Sequence, residues 1–353
     1  MQNAVLVTEV GKPLELAQRP MPHPGEGEIL IRVHSTMLLP HDTYGRDLGL
    51  FVADKLPYVL GTNIAGVVEE IGPKVEDYKV GDRVFGVGNP LSPLPDFSGL
   101  QQYALLAPEG YAKIPDGLSF EEASVFPVNA VTSAAALFHP KGLAFAAPFT
   151  KNEPDTAPDL PPNTDRSLVI VGGGSNVGKL AIQFARLASV SKIIVIASAK
   201  NETRLRQLGA THVIDRYLQE EAIAAEARKI IHDEKGPLSV YDCVSWDYSL
   251  TVSLVPRTLP SVIACLHPAE SCIELVKLND LPARVQFIRG TVEFLQPLSA
   301  DLWRILPTWI VSGQLAVSQF RVVDGLDLKA IEEGLDSYRD GSSVVPLIVR
   351  PNH

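Results

Sequence analysis

Leu168-Val169-Ile170-Val171-Gly172-Gly173-Gly174-Ser175-Asn176-Val177-Gly178 decides how this chain folds. Four apolar residues in a row read as a buried strand, the glycines as a sharp turn, and the residues after them as the opening of a helix. Glycines at such a turn let the backbone approach a pyrophosphate, whose charge sits against the N–H groups at the helix N-terminus. Val177, Leu180, Ala181, Phe184 and Leu187 then recur at helical spacing, which gives that helix one face to lay on a sheet. A second apolar strand, Ile193-Ile194-Val195-Ile196-Ala197, arrives at the interval a βαβ unit requires. The stretch predicts a dinucleotide site built from Gly173, Gly174, Ser175, Asn176 and Val177.

The tip of the second strand selects the dinucleotide. A site for NAD usually carries an acid there to accept hydrogen bonds from the ribose hydroxyls. Here the tip is Ser198-Ala199-Lys200-Asn201, with no carboxylate. Ser198 and Asn201 can donate to a phosphate and Lys200 adds a positive charge. Arg216, just past the next short strand (His212–Asp215), is able to close over the same group. These residues favour NADPH; the bland alternative is that Lys200 and Arg216 are solvated surface charges.

Working outward, 353 residues suit two domains with cores of their own. Apolar residues make up 46% and charged residues 20%, a globular balance. No apolar run is long enough to cross a bilayer, and the N-terminus enters a strand pattern without a signal layout. Three cysteines, Cys243, Cys265 and Cys272, are odd in number and lack metal spacing; Cys243 and Cys265 sit in apolar strand patterns. A cytoplasmic protein is expected. The net charge of −10 argues against a nucleic-acid partner. Residues to about Phe126 are rich in short strands and turn signals, and from Pro127 to Gly290 strands and helices alternate. The remainder reads as a helix from Asp301 to about Val311, another near Leu326 to Tyr338, and a strand near Val344 to Val349. Between His139 and Asp165 lies a stretch rich in proline and polar residues, expected to be a long surface connection. The two flanking segments, 1–126 and 291–353, are expected to pack as one discontinuous domain around an inserted cofactor domain, 127–290.

The motifs outside the glycine turn carry a family resemblance. Leu60-Gly61-Thr62-Asn63-Ile64-Ala65-Gly66 through Gly72, then Val80-Gly81-Asp82-Arg83-Val84, resembles the medium-chain dehydrogenase/reductase superfamily. Pro40-His41-Asp42-Thr43-Tyr44 is similar to the matching motif of its quinone-reductase branch, and Leu208-Gly209-Ala210-Thr211-His212 fits the same superfamily. The proline-rich insertion and Asp301-Leu302-Trp303-Arg304 resemble fungal members, among them the trans-acting enoyl reductases that serve polyketide synthases and related zinc-binding-type oxidoreductases. The resemblance implies an α/β fold: a Rossmann domain with a parallel sheet, inserted in a β-rich GroES-like catalytic domain, with nicotinamide meeting substrate in a cleft between them. It also implies a monomer.

Site residues follow from the same resemblance. Pro40, His41 and Asp42 are expected at the cofactor, with Asn129 and Thr132; Thr132 matches the position that holds the nicotinamide amide, or else caps the start of a helix. Tyr44 is the candidate donor to a substrate oxygen, or else a packing aromatic. Asp42 fixes its loop by hydrogen bonds, and His41 is able to relay a proton. Zinc-dependent relatives carry a thiolate and a His-Glu pair; this chain has no cysteine before Cys243 and has Thr62-Asn63 at the pair, so no metal is expected. Leu39 stands where many relatives have Asn. Asn63 replaces an acid, and Ser343-Val344-Val345-Pro346 lacks a lysine that many members aim at the cofactor.

Without a Lewis acid, alcohol oxidation loses its usual driving group, whereas an activated double bond needs only orientation and a donor near the carbonyl oxygen. The expected activity is NADPH-dependent reduction of an enoyl thioester or enone, free or carrier-bound, with a polyketide synthase as a candidate partner. The alternatives are quinone or carbonyl reduction, and a non-redox NADPH-binding protein on the same fold. A carrier would need clustered cations, for instance Arg284, Arg289, Arg304 and Arg321.

Overall fold

Short β-branched runs punctuated by glycine and proline give the N-terminal third its strands. The computed structural model describes residues 1–150, 160–231, 236–339 and 344–353. It begins with β1 (Gln2–Val7), β2 (Glu15–Arg19), β3 (Ile29–Met37), helix α1 (Pro40–Leu48), β4 (Tyr58–Val59), β5 (Asn63–Ile71), β6 (Arg83–Val87), β7 (Tyr103–Leu106), β8 (Tyr111–Lys113) and helix α2 (Phe120–Ser124). A capping box opens α2: Ser119 Oγ accepts the Glu122 N–H at 3.1 Å, and the Glu122 carboxylate accepts the Ser119 N–H at 2.9 Å.

The parallel sheet follows: α3 (Pro127–Phe138), β9 (Ser167–Val171), α4 (Asn176–Leu187), β10 (Lys192–Ala197), α5 (Glu202–Leu208), β11 (His212–Asp215), α6 (Glu220–Ile230), β12 (Leu238–Asp242), α7 (Ser249–Ser253), β13 (Ser261–Cys265), α8 (Glu270–Leu278), β14 (Ala283–Phe287) and α9 (Val292–Leu295). The chain returns through α10 (Ser299–Val311), β15 (Arg321–Asp324), α11 (Leu328–Asp336) and β16 (Leu347–Arg350). The last strand therefore begins three residues later than its apolar pattern suggests, and Ser343 lies outside the described residues.

Two compact units result: 1–128 with 303–313 and 317–353, and 129–302 with 314–316. The first holds a three-stranded sheet, β2-β1-β4, and a seven-stranded sheet ordered β15-β16-β3-β5-β6-β8 with β7 also on β3. Its pairings are antiparallel except β15 on β16, and its buried clusters centre on Val5, Val59, Leu347 and on Ile31, Ile64, Val84. The second unit is a six-stranded, all-parallel sheet ordered β11-β10-β9-β12-β13-β14. Every residue of β9 is buried, as a central strand covered on both faces must be. Ile170 pairs with Val195 on one side and Tyr241 on the other, so the strand order reverses beside β9 and opens a crevice at the carboxyl ends. The fold is an α/β Rossmann domain inserted in a β-rich GroES-like domain.

The connection after α3 departs from the surface loop its composition suggested. Leu143, Phe145 and Phe149 are buried, and Phe149 meets Phe138 edge-on with centroids 5.5 Å apart. Arg166, itself buried, donates to the carbonyls of Ala144 (2.9 Å) and Leu143 (2.6 Å) and lies over the Phe145 ring. Apolar residues scattered among the prolines carry it inward; residues 151–159 lie outside the described residues.

Candidate functional site

The glycine turn sits at the carboxyl end of β9, at the strand-order reversal. Gly172 turns the chain at φ +80°, and a Cβ on Gly173 would collide with Val195 of β10. Ser175 is the N-cap of α4: its Oγ accepts the Gly178 N–H (3.1 Å) and donates to the Gly172 carbonyl (2.8 Å). That leaves the N–H groups of Asn176 and Val177 at the helix N-terminus for a ligand, beside the positive end of the helix dipole. Gly174 has open space above it, with Asn201 Nδ2 3.5 Å and the Ala197 Cβ 3.9 Å from a Cβ built there. Gly173, Gly174, Ser175, Asn176, Val177 and Asn201 are thus one cluster, and a pyrophosphate fits its donor set and its missing side chains.

Beyond β10 the predicted phosphate residues lie on the exposed side. Ser198 is half-buried, Lys200 is exposed, and Arg216 is exposed with its guanidinium over the Tyr217 ring and one N–H donated to the Tyr217 hydroxyl (3.0 Å). Asp215, which the sequence reading passed over as the end of a strand, shapes this corner. Its Oδ1 accepts the Ala199 N–H at 3.2 Å and the Tyr217 N–H at 3.4 Å, so the carboxylate faces backbone donors. Lys179, in the first turn of α4, was also missed. Burial and then the neighbouring Arg204 guanidinium lower its ammonium pKa, and among the described residues it has no ion-pair partner. Its place one residue after Gly178 is the signal that would have marked it.

Thr132 lies within α3 rather than at its start, because Pro127 opens that helix, as a residue without an N–H can. The capping role is therefore overturned. Its hydroxyl instead approaches Gly290 so closely that a Cβ there would collide with it. Asn129 is buried one turn earlier, and Ser133 Oγ donates to the Val177 carbonyl (3.1 Å), tying α3 to the first turn of α4. Gly290 had no role in the sequence reading beyond marking a boundary. After β12, Asp242 Oδ1 accepts the Val244 (3.0 Å) and Ser245 (2.9 Å) N–H groups and Oδ2 accepts from Thr251. Val244 is thereby held against Gly172, and Trp246 stacks on His267 at 4.1 Å. Cys243 lies just past β12; burial raises its thiol pKa well above the ordinary range.

In the β-rich unit, Asp42 organises the loop. Its Oδ2 accepts the Leu39 N–H (2.8 Å) and its Oδ1 the Gly61 N–H (2.9 Å), with the carboxylate buried. This fastens the start of α1 to the segment Gly61-Thr62-Asn63. His41 Nε2 lies 2.9 Å from Thr62 Oγ1 and 3.6 Å from Asp42 Oδ1. Asn63 Oδ1 accepts the Val128 N–H (2.7 Å), while its Nδ2 is buried without a partner. Tyr44, three residues after His41, shares its helix face; both are half-buried, whereas Asp42, Thr43, Gly45 and Arg46 are buried. Pro40 is exposed at the first helical position. Phe51 meets the His41 ring edge-on at 6.3 Å, from a left-handed backbone (φ 66°) that a bulky residue rarely adopts. Thr62 and Asn63, at the positions of the metal-binding pair, are engaged in these hydrogen bonds. Among the described residues no three His, Cys, Asp or Glu side chains are grouped to hold a metal ion, and no helix is long and apolar enough to cross a membrane.

Comparison with known proteins fits these two units. The alcohol dehydrogenase GroES-like domain family matches residues 25–128. A trans-enoyl reductase of Aspergillus japonicus, himH, is 30% identical over 337 residues, covering 91% of this chain and 89% of its own. A dehydrogenase of Emericella nidulans, orsE, is 29% identical over 98% of both chains. Among solved structures, the CurK enoyl reductase superposes with a TM-score of 0.76 at 18% identity, over 99% of both chains.

Proposed function

Because this chain belongs to the medium-chain dehydrogenase/reductase superfamily, and is an oxidoreductase with a nicotinamide cofactor, we propose that it is a zinc-independent, NADPH-dependent reductase of an activated C=C bond. Its substrate is an enoyl thioester or enone of fungal secondary metabolism, free or carried by a polyketide synthase, and it works in the cytoplasm. The observation that carries this reading is the fate of the metal-ligand positions. Thr62 and Asn63 are buried and hydrogen-bonded to His41 and to the start of α3, so the catalytic unit has neutral polar side chains engaged within the protein where zinc-dependent members present ligands. Reduction of an activated double bond needs no Lewis acid, only orientation and a donor near the carbonyl oxygen.

A bound reduced nicotinamide supplies a hydride. The turn Gly172–Gly174 and the N–H groups of Asn176 and Val177 would hold the pyrophosphate, and Lys200 and Arg216, with Ser198 and Asn201, would favour the 2′-phosphate. Thr132 and Asn129 would hold the nicotinamide amide. Tyr44 donates a hydrogen bond to the substrate carbonyl oxygen as an enolate develops. Leu50 and Phe51, exposed just past the end of α1, would line the acyl chain's path; Val52 is buried.

The test is NADPH consumption by metal-free protein against enoyl thioesters, enones and quinones. Oxidation that depends on an unsaturated thioester or enone and survives chelator is expected. Turnover of quinones alone would move the reading to a quinone reductase, and NADPH binding without turnover of any acceptor would overturn it.

A further inference from the structure

His41 reaches the surface where its neighbour Asp42 does not, with 24% of its side chain exposed against 1%. Its two ring nitrogens face different surroundings. Nε2 is committed to Thr62 Oγ1 at 2.9 Å, with the Asp42 carboxylate 3.6 Å away; Nδ1 has no protein partner among the described residues. Thr62 is itself buried, and the Asp42 bonds to the Leu39 and Gly61 N–H groups fix how the segments carrying His41 and Thr62 meet. Such an arrangement holds a proton on Nε2 and leaves Nδ1 to exchange one. The ring also stands on the same helix face as Tyr44, and Phe51 closes its edge from a left-handed backbone, a conformation that clusters at functional sites.

Resting on the reductase reading, we propose that His41 is the acid that protonates the substrate's α-carbon, giving the proton from Nδ1 while Nε2–H stays on Thr62. The reduced nicotinamide, when bound, would supply the hydride for the new C–H bond at the β-carbon. The π pair of the double bond shifts toward the carbonyl, giving an enolate held by Tyr44. The enolate carbon–carbon pair then takes the Nδ1 proton, forming the second C–H bond and restoring the carbonyl. His41 is left neutral, protonated at Nε2, and water returns the proton to Nδ1. One hydride and one proton are consumed for each double bond reduced, and no other reactant is needed. Tyr44 and His41 divide the work, oxygen to one and carbon to the other, from adjacent turns of one short helix.

The experiment uses the full chain, NADPH and an α-methyl enoyl thioester in D2O, with His41→Gln, His41→Ala and Thr62→Val beside the wild type. The wild type is expected to deuterate one face of the α-carbon. At saturating NADPH, His41→Gln should lose about 100-fold in kcat and deuterate both faces, in keeping with the usual contribution of a positioned acid. Added imidazole should restore part of the His41→Ala rate, which a merely structural histidine would not allow. Independently of turnover, 15N NMR of the neutral His41 ring should place its proton on Nε2, and Thr62→Val should shift it toward a mixture. A neutral ring protonated at Nδ1, a His41→Gln variant that keeps face selectivity and rate, or His41→Ala without imidazole rescue would each overturn the proposal. A wild type that reduces no unsaturated acceptor would overturn the reductase reading and this step with it, whereas a wild type that turns over beside an unaffected His41→Gln would overturn this step alone.

Discussion

Adjacent glycines in the turn after β9 answer to different constraints. Gly173 is fixed by packing, since a Cβ would collide with Val195, while Gly174 has no neighbour closer than 3.5 Å to a Cβ. Gly173→Ala is therefore expected to cost about 1–3 kcal/mol of stability, as overpacking does, read in urea unfolding. Gly174→Ala should unfold like the wild type but weaken dinucleotide binding at least tenfold by fluorescence titration, because its methyl would stand where the pyrophosphate approaches. Equal instability in both variants would refute the distinction. On the NADPH reading, Lys200→Ala with Arg216→Ala should raise the Kd for NADPH tenfold or more and leave that for NADH within about twofold, since these exposed cations would meet only the added phosphate. The cluster around Gly173–Val177 and Asn201 was legible because a turn of that shape has few other uses. The closeness of Gly290 to Thr132 and of Thr62 to His41 was not, since each depends on what a distant segment brings against it.

Helices α1 and α11 are joined by ions that no local pattern announces. Buried Arg46 donates to Asp47 (2.7 Å) and to Asp336 (2.6 Å), and Arg339 donates twice to Asp47, at 2.7 and 2.9 Å. Burial opposes ionisation of Asp47, but the hydrogen bonds from Arg339 and Arg46 outweigh it and bring its pKa from 3.8 down to about 2. A carboxyl depressed in the folded state contributes stability that is fully present above its unfolded value and lost as pH falls through its folded one. Asp47→Asn should therefore lower stability at pH 7 by about 1–2 kcal/mol, and the difference from the wild type should shrink as pH falls below 4 and be lost only as pH falls through about 2. A pH-independent difference in chemical unfolding would mean that lost packing, not charge, is responsible. Since α1 carries His41 and Tyr44, the same clamp steadies their face. The connection after α3 shows the converse limit of local reading. Its prolines and polar residues dominated the composition, yet three apolar side chains and Arg166 decided where it runs.

Across the whole molecule the alternation of strands and helices made the parallel sheet plain, because the central strands of such a sheet are covered on both faces and read as apolar runs. The β-rich unit was legible mainly through its resemblance: its strands are short and its seven-stranded sheet is completed by β15 and β16, more than two hundred residues after β8. Cysteine placement separates the units chemically. Cys243, Cys265 and Cys272 are all buried and all belong to the parallel-sheet unit, and burial raises the pKa of each thiol. The β-rich unit, which holds the catalytic metal in zinc-dependent members, has no thiolate to offer, and a raised thiol pKa disfavours the deprotonated form that a metal needs. Extensive dialysis against chelator should consequently leave the melting temperature, dinucleotide affinity and turnover unchanged, and zinc added back should neither bind stoichiometrically nor raise the rate. If chelation lowered the melting temperature or abolished turnover, and zinc restored it, the zinc-independent reading would fall.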